Sequence, residues 1–338
     1  MQRATVGFEK YHGTGNDFLV VDATQPVPDR EAFAAAYCDR ETGVGPGDDD
    51  DADAERGADG VLFLALEEYR SPRVVMTLVQ PDGSVAPTCG NGTRVAAAWA
   101  ARRTDAREFM IDTPAGSRHA VVDDDGATVE SGVPSFDPRD VGLDRADPLV
   151  DEAVAGLTVT AVDVGAPHAV AFLADPGALA AADLAALAPA VRHAGVFAGG
   201  ANVTLAAVAD GAVHVRTFER GVERETESSG TGAVAAVAAA RRLHRLGHAE
   251  DVRVHTRGGD LRVTVPERGP ARLWGATHRS FSGEAPARPV TDAGDRDDEG
   301  RERPARARTR TSTSGPSSGG ERATGPRTDA GGRPANDD

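Results

Sequence analysis

Cys89 and Ser229 head two segments that read alike, PTCGNGTRVAAAWAARR from Pro87 to Arg103 and ESSGTGAVAAVAAARR from Glu227 to Arg242. Each runs through a Gly-x-Gly turn into an alanine-rich helix that closes on two arginines. Glycine lets the backbone turn sharply and present N–H groups where the helix begins, and a helix N-terminus carries roughly half a positive charge. Such an end attracts a carboxylate and lowers the pKa of a thiol placed on it, so the pattern predicts a thiolate at Cys89. Two of these ends facing one another would hold a small anion between them and present one side chain to each of its faces. Only the first carries a thiol. Cys38 follows the helical run REAFAAAY with no glycine turn and is expected to pack. With two cysteines, neither at metal-ligand spacing, a zinc site and a disulfide framework are not expected.

The elements that must position these ends are mostly strands. Runs such as FLVVD, GVLFLAL, RVVMTLVQ, LTVTAVDVG, HAVAFLA, NVTLAAVA, AVHVRTFE and LRVTVPE alternate with turn sequences such as PDGS and ADGAV. Helices are expected at 29–37, 93–103, 180–193 and 233–244. The result is an α+β plan: two similarly built, strand-rich domains, each with a central helix, facing each other across a cleft. We place the domains at 1–134 and 135–282, with the border near the Pro- and Asp-rich stretch VPSFDPRDVGLDRADP. An acidic insert at about 46–56 reads as an exposed loop, and 283–338, nearly devoid of large apolar residues, reads as a disordered tail.

Composition narrows the function classes. The formal net charge is -16, and Lys10 is the sole lysine among 37 basic residues. That argues against nucleic acid or an anionic membrane as partner. No apolar run approaches the roughly 20 residues needed to cross a bilayer, and the N-terminus lacks an apolar signal core, so a cytoplasmic protein is the expectation.

The segments YHGTGNDFLVVD, CDRETGVG with GADGVLF, PDGSVAPTCGNGTR, VDVGAPHAV, GGANVTLA and RTFERGVERETESSGTGAVAA occur in an order that resembles the diaminopimelate epimerases, which work without pyridoxal phosphate. The resemblance covers about residues 6–280. It implies LL- to meso-diaminopimelate epimerisation in lysine biosynthesis, no cofactor, a small amino-acid substrate as the partner, and a homodimer as a possible assembly. It also implies that Cys89 removes the α-proton on one face and that Ser229 occupies the place of the second catalytic residue on the other. By the same likeness the substrate carboxylate lies over Gly90, Asn91, Gly230 and Thr231, while Asn16, Gln80, Asn202, Glu219 and Arg220 bind the substrate. His168 and Glu219 match residues that assist the catalytic pair.

Several positions depart from the family pattern. Ser229 replaces a thiol, and a serine hydroxyl is a far weaker acid than a thiol with its pKa near 8.5. Ala166 in GAPH replaces an asparagine, Gln80 stands where asparagine is common, and Glu227 and Ser228 stand where small or apolar residues precede the second thiol. A related racemase, epimerase or dehydratase with a Cys/Ser pair, or an impaired homologue that only binds, are therefore the alternatives.

Overall fold

The computed structural model describes residues 4–46, 55–247 and 250–289, together with the backbone of 308–309. The first half contains β1 (Thr5–His12), β2 (Asp17–Asp22), α1 (Arg30–Tyr37), β3 (Gly60–Glu67), β4 (Arg73–Val79), β5 (Val85–Ala86), α2 (Gly90–Ala101), β6 (Glu108–Thr113), β7 (Gly116–Val122) and β8 (Gly126–Glu130). A connector holds α3 (Pro138–Val141) and β9 (Glu152–Val154). The second half then repeats the order: β10 (Leu157–Asp163), β11 (Pro167–Phe172), α4 (Pro176–Ala181), α5 (Leu184–Arg192), β12 (Asn202–Ala209), β13 (Ala212–Glu219), β14 (Arg224–Thr226), α6 (Gly230–Arg242), β15 (Asp251–Thr256), β16 (Gly259–Thr264) and β17 (Arg272–Ala276). β18 (His278–Pro286) follows.

The pairings repeat as well. β2 runs parallel to β3 across α1, and β11 runs parallel to β12 across α4 and α5, as a parallel pair requires a crossover. β4 and β6 are parallel across α2, and so are β13 and β15 across α6. Antiparallel ladders β6–β7–β8 and β15–β16–β17 complete each half. The halves meet where β8 pairs with β17, Val129 opposite Leu273 and Ala127 opposite Gly275. Glycine is needed at that joint, because a Cβ on Gly126 would sit 2.4 Å from the Gly275 carbonyl oxygen. β18 returns to the first half beside β1, and β9 forms a hairpin with β10 at the edge of the second.

Each half wraps its strands round one buried helix. α2 lies against β3, β4, β6, β7 and β8, and α6 against β10 to β13 and β16. Both helices are alanine-rich because they are enclosed nearly all round, where small side chains let the backbone approach the sheet. The core between them is shared: Trp99, Val95, Val234 and Val237 belong to one apolar cluster with Leu261 and Leu273. Outer clusters lie under α1, around Phe33 and Phe63, and under α4 and α5, around Leu184 and Val191. Among the described residues no helix is long and apolar enough to cross a membrane.

Three expectations change. The helix expected at 180–193 is two, because Asp183 caps α5 by accepting from Ala186 N at 3.0 Å while Ala182 is extended. α2 and α6 begin at Gly90 and Gly230, so the Gly-x-Gly units form the first helical turn rather than a turn before it. Neither unit has a positive-φ glycine; the glycines serve close approach, since a Cβ on Gly232 would meet Thr217 Oγ1 at 2.4 Å. Lastly, the expected tail begins too early. Gly283 to Pro286 continue β18 beside β1, Ala287 N donates to Ala4 O at 2.8 Å, and Ala285 and Ala287 are buried. Alanines that look inert in sequence are enough to fill this edge. Most of the tail, and residues 47–54 of the acidic insert, lie outside the described residues.

A chain ending at residue 282 loses the last β1–β18 pairs and the Tyr37 hydroxyl bond to Pro286 O, whereas one ending at 289 keeps them. At about 1 kcal/mol for each lost hydrogen bond, the shorter chain should melt at least about 5 °C below the longer in a thermal unfolding scan.

Candidate active site

Cys89 and Ser229 are the N-cap residues of α2 and α6, each extended, and each side chain accepts from its own helix. Cys89 Sγ accepts from Gly92 N at 3.4 Å, and Ser229 Oγ accepts from Gly232 N at 3.1 Å. The N–H groups of Gly90, Asn91, Gly230 and Thr231 belong to the first helical turns, which have no intrahelical acceptor. The two ends converge on Leu273 of β17. A Cβ on Gly90 would lie 4.0 Å from Leu273 Cδ2, and one on Gly230 would lie 2.7 Å from the same atom. The joint between the halves therefore forms the floor beneath both caps.

Glu219, at the end of β13, links the two faces. Burial pushes its carboxyl up, opposed by hydrogen bonds from the hydroxyls of Ser229 and Thr226. Thr226 Oγ1 donates to Glu219 Oε1 at 3.2 Å. The Glu219 charge also reaches Cys89. Burial pushes the Cys89 thiol up, Glu219 adds to the effect, and the Gly92 and Asn91 N–H groups with Arg94 oppose it. The helix end thus acts on the thiol in the expected direction, while burial and the Glu219 charge act against it.

Arg220 does not fork onto Glu219. Its guanidinium donates to the carbonyls of Gly199 and Gly200 at 3.3 and 3.2 Å, because adjacent residues at a strand end point to opposite sides. Its backbone N donates to Asn202 Oδ1 at 2.7 Å. With its oxygen held there, Asn202 turns its amide nitrogen to His168 Nε2 at 3.2 Å. That places the His168 proton on Nδ1, facing Thr204 Oγ1 at 3.1 Å, and Thr204 meets Thr217 Oγ1 at 3.2 Å. His168 is fully buried; burial, aided by the Arg220 charge, pushes its pKa down to about 3. It is a neutral ring with both nitrogens occupied, one layer beneath the α6 cap.

On the α2 side, Asn16 Nδ2 donates to Asp59 Oδ2 at 2.7 Å and Asn16 Oδ1 accepts from Asn91 Nδ2 at 2.6 Å. Asp59 is anchored by Arg40, which also grips Asp17 through two bonds of 2.8 Å, and Asp17 pairs with the buried Lys10. Gln80 stays apart: its amide closes the PDGS turn on Ser84 Oγ at 2.7 Å. Sequence reasoning passed over Leu273, Asp59 and Arg94. Asp59 and Arg94 lie inside quoted motifs, but nothing local marks Leu273. Gly15 also belongs here, with φ +82 and a hypothetical Cβ 2.8 Å from Ser228 Cβ.

Exposure and charge distinguish the two thiols. Cys38 is 2% exposed and pushed up to about 12 by burial, while Cys89 is only partly buried. Iodoacetamide at pH 8 should label Cys89 at least about tenfold faster than Cys38, as peptide mass spectrometry would show.

Comparison with known proteins gives the family. The family described as Diaminopimelate epimerase matches residues 8–136 and 160–277. The chain is 39% identical over 267 residues to a diaminopimelate epimerase of Methanothrix thermoacetophila, covering 76% of this chain and 88% of that one. It is 36% identical over 276 residues to an O-ureido-serine racemase of Streptomyces lavendulae, covering 78% and 89%. Among solved structures, a predicted epimerase from Pseudomonas aeruginosa superposes with TM-score 0.55 at 16% identity, covering 82% of this chain and 98% of that one, which speaks for the fold alone. Repeated halves, paired helix caps and sequence similarity along most of the chain lead to one assignment: it belongs to the diaminopimelate epimerase family and is an isomerase.

Proposed function

We propose that the protein interconverts LL- and meso-diaminopimelate by proton transfer at the α-carbon, between a Cys89 face and a Ser229 face. The observation that carries this reading is the convergence of the two capped helix ends on Leu273, with Glu219 acting on both caps. The α-carboxylate rests on the N–H groups of Gly90, Asn91, Gly230 and Thr231. Cys89, once ionised, takes the α-proton from its face. The opposite face needs a stronger acid than serine. Glu219 in its protonated form supplies it through Ser229: the hydroxyl turns from the carboxyl to the α-carbon and gives its proton there as it receives one from Glu219, the reverse reaction returns that proton to the Glu219 carboxylate, and exchange with solvent resets thiol and carboxyl. Asn16 and Asn202 orient the walls, His168 fixes Asn202, and Arg220 stands at the distal end of the substrate.

The sole lysine supports chemistry without pyridoxal phosphate. Lys10 is 1% exposed and paired with Asp17, so it offers no amine for attaching that cofactor. We place the activity in the cytoplasm, in lysine biosynthesis. Incubation of LL-diaminopimelate with the protein in deuterated water tests the reading. Meso product carrying α-deuterium is expected; recovery of unlabelled LL substrate would rule it out.

A further inference from the structure

Arg94 is wholly buried on α2, just past the Cys89 cap. Its Nη2 donates to Asn91 Oδ1 at 2.7 Å and to Gly13 O at 3.4 Å, but its Nε and Nη1 have no hydrogen-bond partner. Among the described residues no carboxylate pairs with it. A guanidinium in this state is costly, since desolvation is not offset by a counter-charge. The fold nevertheless makes room for it: a Cβ on Gly275 would lie 2.8 Å from Arg94 Nε. Among the described residues, the ionisable group whose charge acts on it is Cys89.

The second half of the chain supplies an internal control. Counting from each cap, Arg94 on α2 corresponds to Val234 on α6, a buried apolar residue. The arginine accompanies the thiol, and the cap that bears a hydroxyl lacks it. We propose that Arg94 is the buried counter-charge of the Cys89 thiolate, a positioning residue that makes the ionised thiol accessible during turnover. Among the described residues, the charged groups that act on Cys89 are Glu219 from β13, which opposes ionisation, and Arg94 from α2, which favours it. The helix end adds only about half a charge spread over several N–H groups, whereas a full charge in a dry site acts strongly over the same distance. Asn91, held by Asn16 and through it by Asp59, aims the guanidinium. This inference rests on Cys89 as the proton-abstracting residue, but its test reads the thiol and not turnover.

The test is the pH dependence of iodoacetamide labelling at Cys89 in the full chain, resolved by peptide mass spectrometry. Arg94→Gln keeps a donor for Asn91 without the charge, and Arg94→Lys keeps the charge without the fork. Arg94→Gln should move the labelling midpoint up by at least about one pH unit, about a tenfold slower rate at pH 7.5, while Arg94→Lys stays within about 0.3 unit of the unsubstituted protein. An unmoved midpoint in folded Arg94→Gln, or an equal shift in both variants, would overturn the proposal. Should the variants fail to fold, the unsubstituted protein decides. A buried counter-charge is little screened, so the midpoint should hold between 0.05 and 1 M KCl, at Debye lengths of roughly 14 and 3 Å. A midpoint that rises with salt would assign the effect to surface charges and sink the idea.

Discussion

Cys89→Ala is expected to abolish epimerisation, with a fall of about a thousandfold or more in kcat/KM, equivalent to about 4 kcal/mol of transition-state stabilisation. The thiol at the α2 cap is the group proposed to take the α-proton, and Cys38 cannot replace it because it lies in a separate apolar cluster with Phe33 and Val44. Loss of the cap should cost little in folding, since the Cys89 Sγ bond to Gly92 N is long and sulfur is a weak acceptor. Cys89→Ser provides the control, because it restores a capping oxygen without an acidic proton. It should fold as well as the unsubstituted protein and be nearly as inactive as the alanine variant. Circular dichroism and a coupled assay for meso product separate the two effects; an alanine variant retaining a tenth of the activity would show that the base lies elsewhere.

Ser229→Cys should raise epimerisation by about tenfold or more. A turnover crosses both faces, and forward and reverse paths share the same transition states, so the weaker face limits both directions. A thiol at residue 229 could donate directly, where the serine depends on Glu219. The unsubstituted protein should show the asymmetry in isotope exchange. The stereoisomer whose α-proton faces Cys89 should take up deuterium quickly, and the other slowly. In the variant the two rates should approach each other, and Glu219→Gln should damage the unsubstituted protein more than the Ser229→Cys protein. Equal exchange of both isomers before substitution would mean that the Ser229 face already has a strong acid, leaving no gain to observe.

What could be read in the sequence was what short-range physics fixes. The cap and glycine pattern places a helix end within a few residues, so both ends and their likeness were legible without long-range information. So was the alternation of strands with α1, α2 and α6. Desolvation was not legible: a helix end argues for a thiolate, but only packing reveals how far Cys89 is removed from water. Long-range pairing was hidden as well. Leu273 looks like any strand leucine until β17 is seen beside β8. Arg94 misleads in sequence because arginine is ordinarily a surface residue, and its burial depends on the room left by Gly275. Asn202 and His168 were identified by resemblance, but the direction of their hydrogen bonds follows from the Arg220 backbone, which no motif encodes.

The return of β18 to β1 brings Ala287 within one hydrogen bond of Ala4, so the second half ends on the strand that opens the first. Two separate half-length polypeptides could build such a twofold scaffold as a symmetric dimer, but that dimer must carry identical side chains at both caps. One gene encoding both halves removes that obligation. Cys89 can then differ from Ser229, and Arg94 from Val234, so tandem fusion is the condition under which a symmetric scaffold acquires a handed active site.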